Sequence, residues 1–236
     1  MVEESTLPVA VTPLSAPASL PSSSSINFQD DALDAFFQDS LVPSSMDQTK
    51  YFLPRNKLTQ ALNFESVQSY LRTILLDTSE DLDELTKYIC GSSSSNSGAK
   101  KLFATLILIQ KPQIIVEFRL ENLSDEDLPF KRSSMSGAHF HLIRRGTEDS
   151  PINLFRNWSR VDIQLFDDCQ WYTLSPTFSF SDDGKALFYK FHNRTILPFT
   201  EYESEAQGGY STIHKARIHP AHHDFQSITV RDRLPT

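Results

Sequence analysis

The sequence predicts an α+β chain, a mainly helical N-terminal body followed by β-hairpins. Three observations predict it. Apolar residues between positions 63 and 168 recur at spacings of three and four. From Trp171 onward the period shortens toward two. In that later stretch, aromatic-rich runs flank glycine-containing loops, which is the signature of hairpins. Composition divides the chain into residues 1–50, a disordered Ser/Pro-rich acidic tail; 51–198, a helical region with a terminal hairpin; and 199–236, a short C-terminal unit.

The tail is defined by what it lacks. The first Lys or Arg of the 236 residues is Lys50. Seven acids, ten Ser and five of the 13 Pro precede it, so residues 1–49 carry −7 of the total charge of −8. So few apolar groups do not offset the entropy of ordering a chain. One stretch stands out, Phe28 to Leu41, in which Leu33, Phe36, Phe37 and Leu41 fall near helical spacing among acids. It reads as a transient helix, or as one that docks on a protein partner or back on its own body.

The near-neutral remainder offers no basic face for nucleic acid. No apolar run reaches the roughly 18 residues a membrane helix needs. The N-terminus Met1-Val2-Glu3-Glu4 lacks the basic start of a secretory signal, and two cysteines form no disulfide framework. The expectation is an intracellular protein, cytoplasmic or nuclear, not secreted and not membrane-bound.

Within the body, Asn63 caps a helix whose stripe is Phe64, Val67, Tyr70, Leu71, Ile74 and Leu75. Ser79 caps a second, with Leu82, Leu85, Tyr88 and Ile89 inward, and Gly91 to Gly98 is a flexible break. Ala99 to Ile109 is apolar almost all round and reads as a central helix or a buried strand, ended by Pro112. Gln113 to Leu120 favours a helix with Pro in its first turn. Ser124 to Phe130 is an acidic turn, and residues 131–150 are a loop. Asn153 to Asp168 resumes a helix with Leu154, Trp158, Val161, Leu165 and Phe166 on its core side. Phe178-Ser-Phe180 and Ala186 to Phe191 flank Ser181 to Gly184 as a hairpin.

The most informative stretch is Phe199 to Ile218. Ala206, Gly208, Gly209, Ser211 and Ile213 fall between two strand-like runs. The spacing resembles the glycine-rich loop that opens a protein-kinase domain, with pattern G-x-G-x-x-G-x-V. Ala206, Gly208 and Ser211 take the three glycine positions, and Ile213 the valine position. Together with Ile196-Leu-Pro-Phe199 and Ile218-His219-Pro220-Ala-His222-His223-Asp-Phe225, it looks like a group of fungal protein-kinase-domain proteins. In that group a helical region precedes a Ser/Thr-type kinase domain. Phe52-Leu-Pro-Arg55, Leu102 to Ile109, Asp127-Leu-Pro-Phe130 and Gln170-Trp171 to Pro176 resemble the same helical region. The similarity spans about residues 51–225.

The resemblance implies ATP and magnesium as the family's cofactors, and a degenerate nucleotide loop at Ala206, Gly208, Gly209, Ser211 and Ile213. It does not carry the chemistry over. Kinases need a phosphate-holding lysine, an H-R-D loop with a later Asn, and D-F-G for magnesium. Only 37 residues run from Thr200 to Thr236, against the roughly 250 of such a domain. Arg231 stands where the lysine would, or that stretch precedes the strand. Val230-Arg231-Asp232 and His223-Asp224-Phe225 mimic H-R-D and D-F-G in the wrong order and without the required Asn and Gly. No catalytic residue, metal ligand or cofactor is therefore assigned to this chain. His139 and His141, and His219, His222 and His223, read as ordinary loop histidines, and Cys169 as a packing residue.

Two readings follow: a truncated, non-catalytic kinase-like module with an interaction or regulatory role through its helical region or residues 28–41, or a fragment of an active Ser/Thr kinase. In either, the last hairpin lacks the rest of its sheet, and Ile213 and Ile218 lean on the body or stay exposed.

Overall fold

The computed structural model describes residues 32–76, 81–91, 98–133, 140–146, 151–179, 188–207 and 212–225. It is mixed α and β, with helices packed around one buried helix and three two-stranded antiparallel sheets at the margins.

The chain enters the fold through α1 (Ala32–Ser40), followed by the hairpin of β1 (Val42–Ser44) and β2 (Asp47–Phe52). The acidic tail therefore does not extend to residue 50. Leu33 and Phe37 are 1% and 0% exposed. Spaced four apart, they share one helix face, which buries against the central helix and its neighbour. Tyr70 donates to the Asp34 carboxylate at 2.6 Å, fixing the helix from outside. Average composition hid this because the few bulky residues lie in one turn-and-a-half. Phe28 lies outside the described residues.

Helix α2 (Arg55–Ala61) follows, then α3 (Phe64–Ile74), capped by the Asn63 side chain as expected. Val67, Tyr70, Leu71 and Leu75 are buried, but Phe64 is exposed. Helix α4 (Leu82–Cys90) is capped by Asp81, which accepts from the N–H groups of Asp83 and Glu84; Ser79 lies outside the described residues. At the far side of residues 92–97 the chain returns so tightly that a Cβ on Gly98 would stand 2.5 Å from the Ile89 carbonyl oxygen.

Helix α5 (Lys100–Leu108) is the hub, buried from Leu102 to Leu108. Of the two alternatives that the sequence left open there, the helix is realised. Its N-cap Ala99 has no capping side chain. The cap comes from Asp125, whose carboxylate accepts from the N–H groups of Lys101 and Leu102 at 3.0 Å. Burial pushes the Asp125 carboxyl above its ordinary value, against the pull of those N–H groups. The C-terminus closes in a Schellman motif. Gln110, at φ 60°, places the Lys111 N–H on the Leu106 carbonyl and its own on Ile107. A turn of 3₁₀ helix from Pro112 leads into α6 (Ile115–Leu120), which closes the same way around Asn122 at φ 52°.

Strands β3 (Lys131–Arg132) and β4 (Leu142–Ile143) form a minimal pair inside the region expected to be loop. The expected single helix over 153–168 is broken in two. A 3₁₀ segment, Asn153–Asn157, ends at Trp158, and Ser159 then caps α7 (Arg160–Cys169). The new start resets the helical phase. Ile163 and Phe166 face the core, while Val161 and Leu165, expected inside, are 75% and 42% exposed. Phe118, Phe130, Phe155, Phe166 and Trp158 form one aromatic cluster, with ring centroids 5.0 to 6.4 Å apart.

The hairpin expected over 178–191 has its loop outside the described residues. Within them, Phe178 bridges in parallel to His223 rather than to residues 188–191. The expected last hairpin is present: β5 (Phe199–Gln207) pairs antiparallel with β6 (Thr212–Ile218). No helix among the described residues is long and apolar enough to cross a membrane.

Candidate functional site

The β5–β6 ribbon pairs Phe199 with Ile218 at its base and Gln207 with Thr212 at its outer end, with irregularities after Phe199 and Ser204. The sequence explains its two faces. Glu201 lies opposite Arg217 and Glu203 opposite Lys215, opposite charges in cross-strand register. The Glu201–Arg217 ion pair spans 3.1 Å in solvent. Tyr202 stacks on His214 at 4.6 Å, and on Phe199 at 6.0 Å.

Of the five candidate nucleotide-loop residues, Ala206 sits in β5 directly across from Ile213 in β6. Gly208, Gly209 and Ser211 lie outside the described residues, between those strands. Ile213 is 59% exposed, and Ile218, at the base, is half-buried. The strands thus bracket the loop, and Ile213 stands exposed at the start of β6.

The ribbon's base is held firmly. Phe199 is 3% exposed and stacks on Phe178 at 6.1 Å. The Ser45 N–H donates to the Phe199 carbonyl at 2.8 Å, and the Ser44 hydroxyl donates to that of Leu197 at 2.7 Å. On the other strand, the His219 N–H donates to the Pro198 carbonyl at 2.8 Å. The segment after β6 then packs on the body. The Phe178 N–H donates to the His222 carbonyl, and the Asp224 N–H to that of Phe178. The ring of Phe52 meets His219 and His222 edge-on at 5.6 and 5.4 Å.

Sequence reasoning missed a second constellation beside this base. Asp167, fully buried, accepts on one carboxylate oxygen from Arg132 at 2.6 Å and from Arg194 at 2.7 Å. Gln170 donates to its other oxygen at 2.8 Å, and also exchanges hydrogen bonds with both backbone groups of Phe130. Arg194 reaches Asp168 at 2.6 Å and lies over the Trp171 ring. The knot ties three segments that are distant in sequence, and no spacing rule joins such residues.

The buried Cys169 thiol is pushed up to about 12, chiefly by burial and then by Asp168, so it is protonated near neutrality. His141 donates its backbone N–H to the Ser133 hydroxyl, and His139 lies outside the described residues. Asp224, in the D-F-G mimic, pairs with Arg55 at 3.9 Å. Residues 226–236, with Arg231, lie outside the described residues. Among the described residues, no three His, Cys, Asp or Glu side chains are grouped to hold a metal ion. Comparison with protein-family models, with curated proteins and with solved structures finds no match.

Proposed function

We propose that this chain is a non-catalytic, protein-kinase-like module that acts by contact rather than by phosphoryl transfer. The observation that carries the reading is the ribbon itself. Two antiparallel strands bracket the loop whose sequence resembles a kinase nucleotide loop, and they are anchored at the base to a helical body. Two of the three glycine positions hold Ala206 and Ser211. Ile213, which would cover an adenine, is exposed. A ligand gains affinity from enclosure, and an exposed Ile213 encloses little. Phosphoryl transfer further depends on a base, a magnesium carboxylate and a phosphate cation acting together, and this chain supplies no such set in order.

Contact with a partner falls to the helical body and the ribbon. Leu33 and Phe37 of the 28–41 segment are already used in the chain's own core.

Calorimetric titration of the full chain with ATP and magnesium tests the reading, with Gly208→Val alongside. No saturable binding is expected below about 1 mM, a gain of only about 4 kcal/mol. Micromolar binding that Gly208→Val abolishes, or transfer of phosphate to a protein substrate, overturns it.

A further inference from the structure

The segment after β6 is fastened to the body by an imidazole whose protonation state the hydrogen bonds define. The His222 side chain is buried. Its Nε2 receives the backbone N–H of Arg55, the first residue of α2, at 3.2 Å. Its Nδ1 lies 3.0 Å from the Pro176 carbonyl oxygen. A backbone N–H only donates and a carbonyl only accepts, so Nε2 carries the lone pair and Nδ1 the proton. His222 is therefore the neutral Nδ1–H tautomer. A second proton, on Nε2, would point N–H at N–H. His219 is in a related state, because its Nδ1 accepts the Ala221 N–H at 3.1 Å. Both rings also flank Phe52 edge-on, and the Leu53 carbonyl is the further acceptor near the His222 ring.

We propose that His222, with His219 beside it, is an acid-released latch: protonation undocks residues 219–225 from α2 and from Phe178, and so loosens the base of the β5–β6 ribbon. The connection is continuous. His222 and Asp224 hold the backbone of Phe178 on both sides, and the Phe178 ring supports Phe199, where β5 begins. The titratable and charged groups around the latch are Arg55 from α2 and His219 from its own segment, with His223 and Asp224 adjoining; Asp224 faces the Arg55 guanidinium.

The direction follows. Burial first, then His219 and Arg55, hold the His222 imidazole below its ordinary value of 6.5, though the Pro176 and Leu53 carbonyls oppose them. Burial, then His223, does the same to His219. The released segment binds protons near 6.5 and the docked segment only at lower pH. Docking is thus at full strength above about pH 6.5. It weakens as pH falls from there to the depressed docked values, by up to about tenfold per pH unit for each imidazole.

The test is an NMR titration of the full chain from about pH 8 to about pH 5, following histidine ring signals and backbone amides. The expected result is that the His222 ring titrates below 6.5, and that the amides of Arg55, Phe178 and Asp224 leave their docked positions with the same midpoint. His222→Gln, uncharged throughout, should lose that coupled transition. A His222 ring that titrates at or above 6.5, or that titrates while the three amides stay in place, overturns the proposal. So does an undiminished acid transition in His222→Gln. The wild-type titration decides the matter even if the variant fails to dock.

Discussion

Asp167 shows how much one side chain carries here. Two guanidinium groups converge on a single buried carboxylate oxygen. Removing the carboxylate leaves like charges facing each other with only the half-exposed Asp168 between them. Breaking a buried pair from one side costs roughly 3–5 kcal/mol, and Arg132 and Arg194 keep some access to water. Asp167→Ala should therefore lose about 3 kcal/mol, read as a lower urea midpoint with an unchanged slope. Glycines give a sharper contrast. A Cβ on Gly98 would meet three backbone atoms within 2.9 Å, whereas one on Gly146 meets nothing within 4 Å. Gly98→Ala forces backbone apart and should cost about 1–3 kcal/mol. Gly146→Ala has only the strain of its positive φ, about 1–2 kcal/mol, confined to a turn. Thermal melts of the pair should also differ in kind, because Gly98→Ala disturbs the seam between α4 and α5 and Gly146→Ala does not.

Among the elements, α1 departs furthest from composition. Its Phe37 is fully buried against α5, and truncating it should cost about 3–5 kcal/mol. Phe37→Ala should lower the melting temperature by about 6–20 °C, at about 2–4 °C per kcal/mol; an unchanged melt would place α1 outside the cooperative unit. The same helix marks where the sequence could be read and where it could not. Apolar runs of a little over two turns, such as Val67 to Leu75 and Leu102 to Ile109, announce themselves, and the Asn63 cap was legible at its own position. A nine-residue helix beside a Ser/Pro tract is diluted by its neighbours. The restart at Ser159 was written as a serine three residues before Asp162, but continuous apolar spacing across it concealed the change of phase. The ribbon was legible, but Ala206 and Ile213, read as lying between its strands, are paired within them. Its fastening was not, because His222, Phe178 and Phe52 meet only through tertiary structure.

Over the whole molecule, α1, α2, α4, α6 and α7 all touch α5, yet that helix has nine residues and no local cap. Helices of that length do not persist alone in water, since roughly 12–15 residues are needed even for favourable sequences. Its missing cap arrives from Asp125, more than twenty positions later, after the chain has passed through α6. The first stable turn of α5 thus requires closure of that loop, an entropic cost on the order of 3 kcal/mol. Order of assembly follows from this. The unit from Gly98 to Asp125 must form as one event, and the elements that lean on α5, including α1 from the opposite end of the chain, can only add afterwards. In rate measurements Asp125→Ala should slow folding by about fivefold to thirtyfold, equivalent to about 1–2 kcal/mol for a lost cap, and leave the unfolding rate nearly unchanged. Phe37→Ala should do the reverse, hastening unfolding and sparing the folding limb.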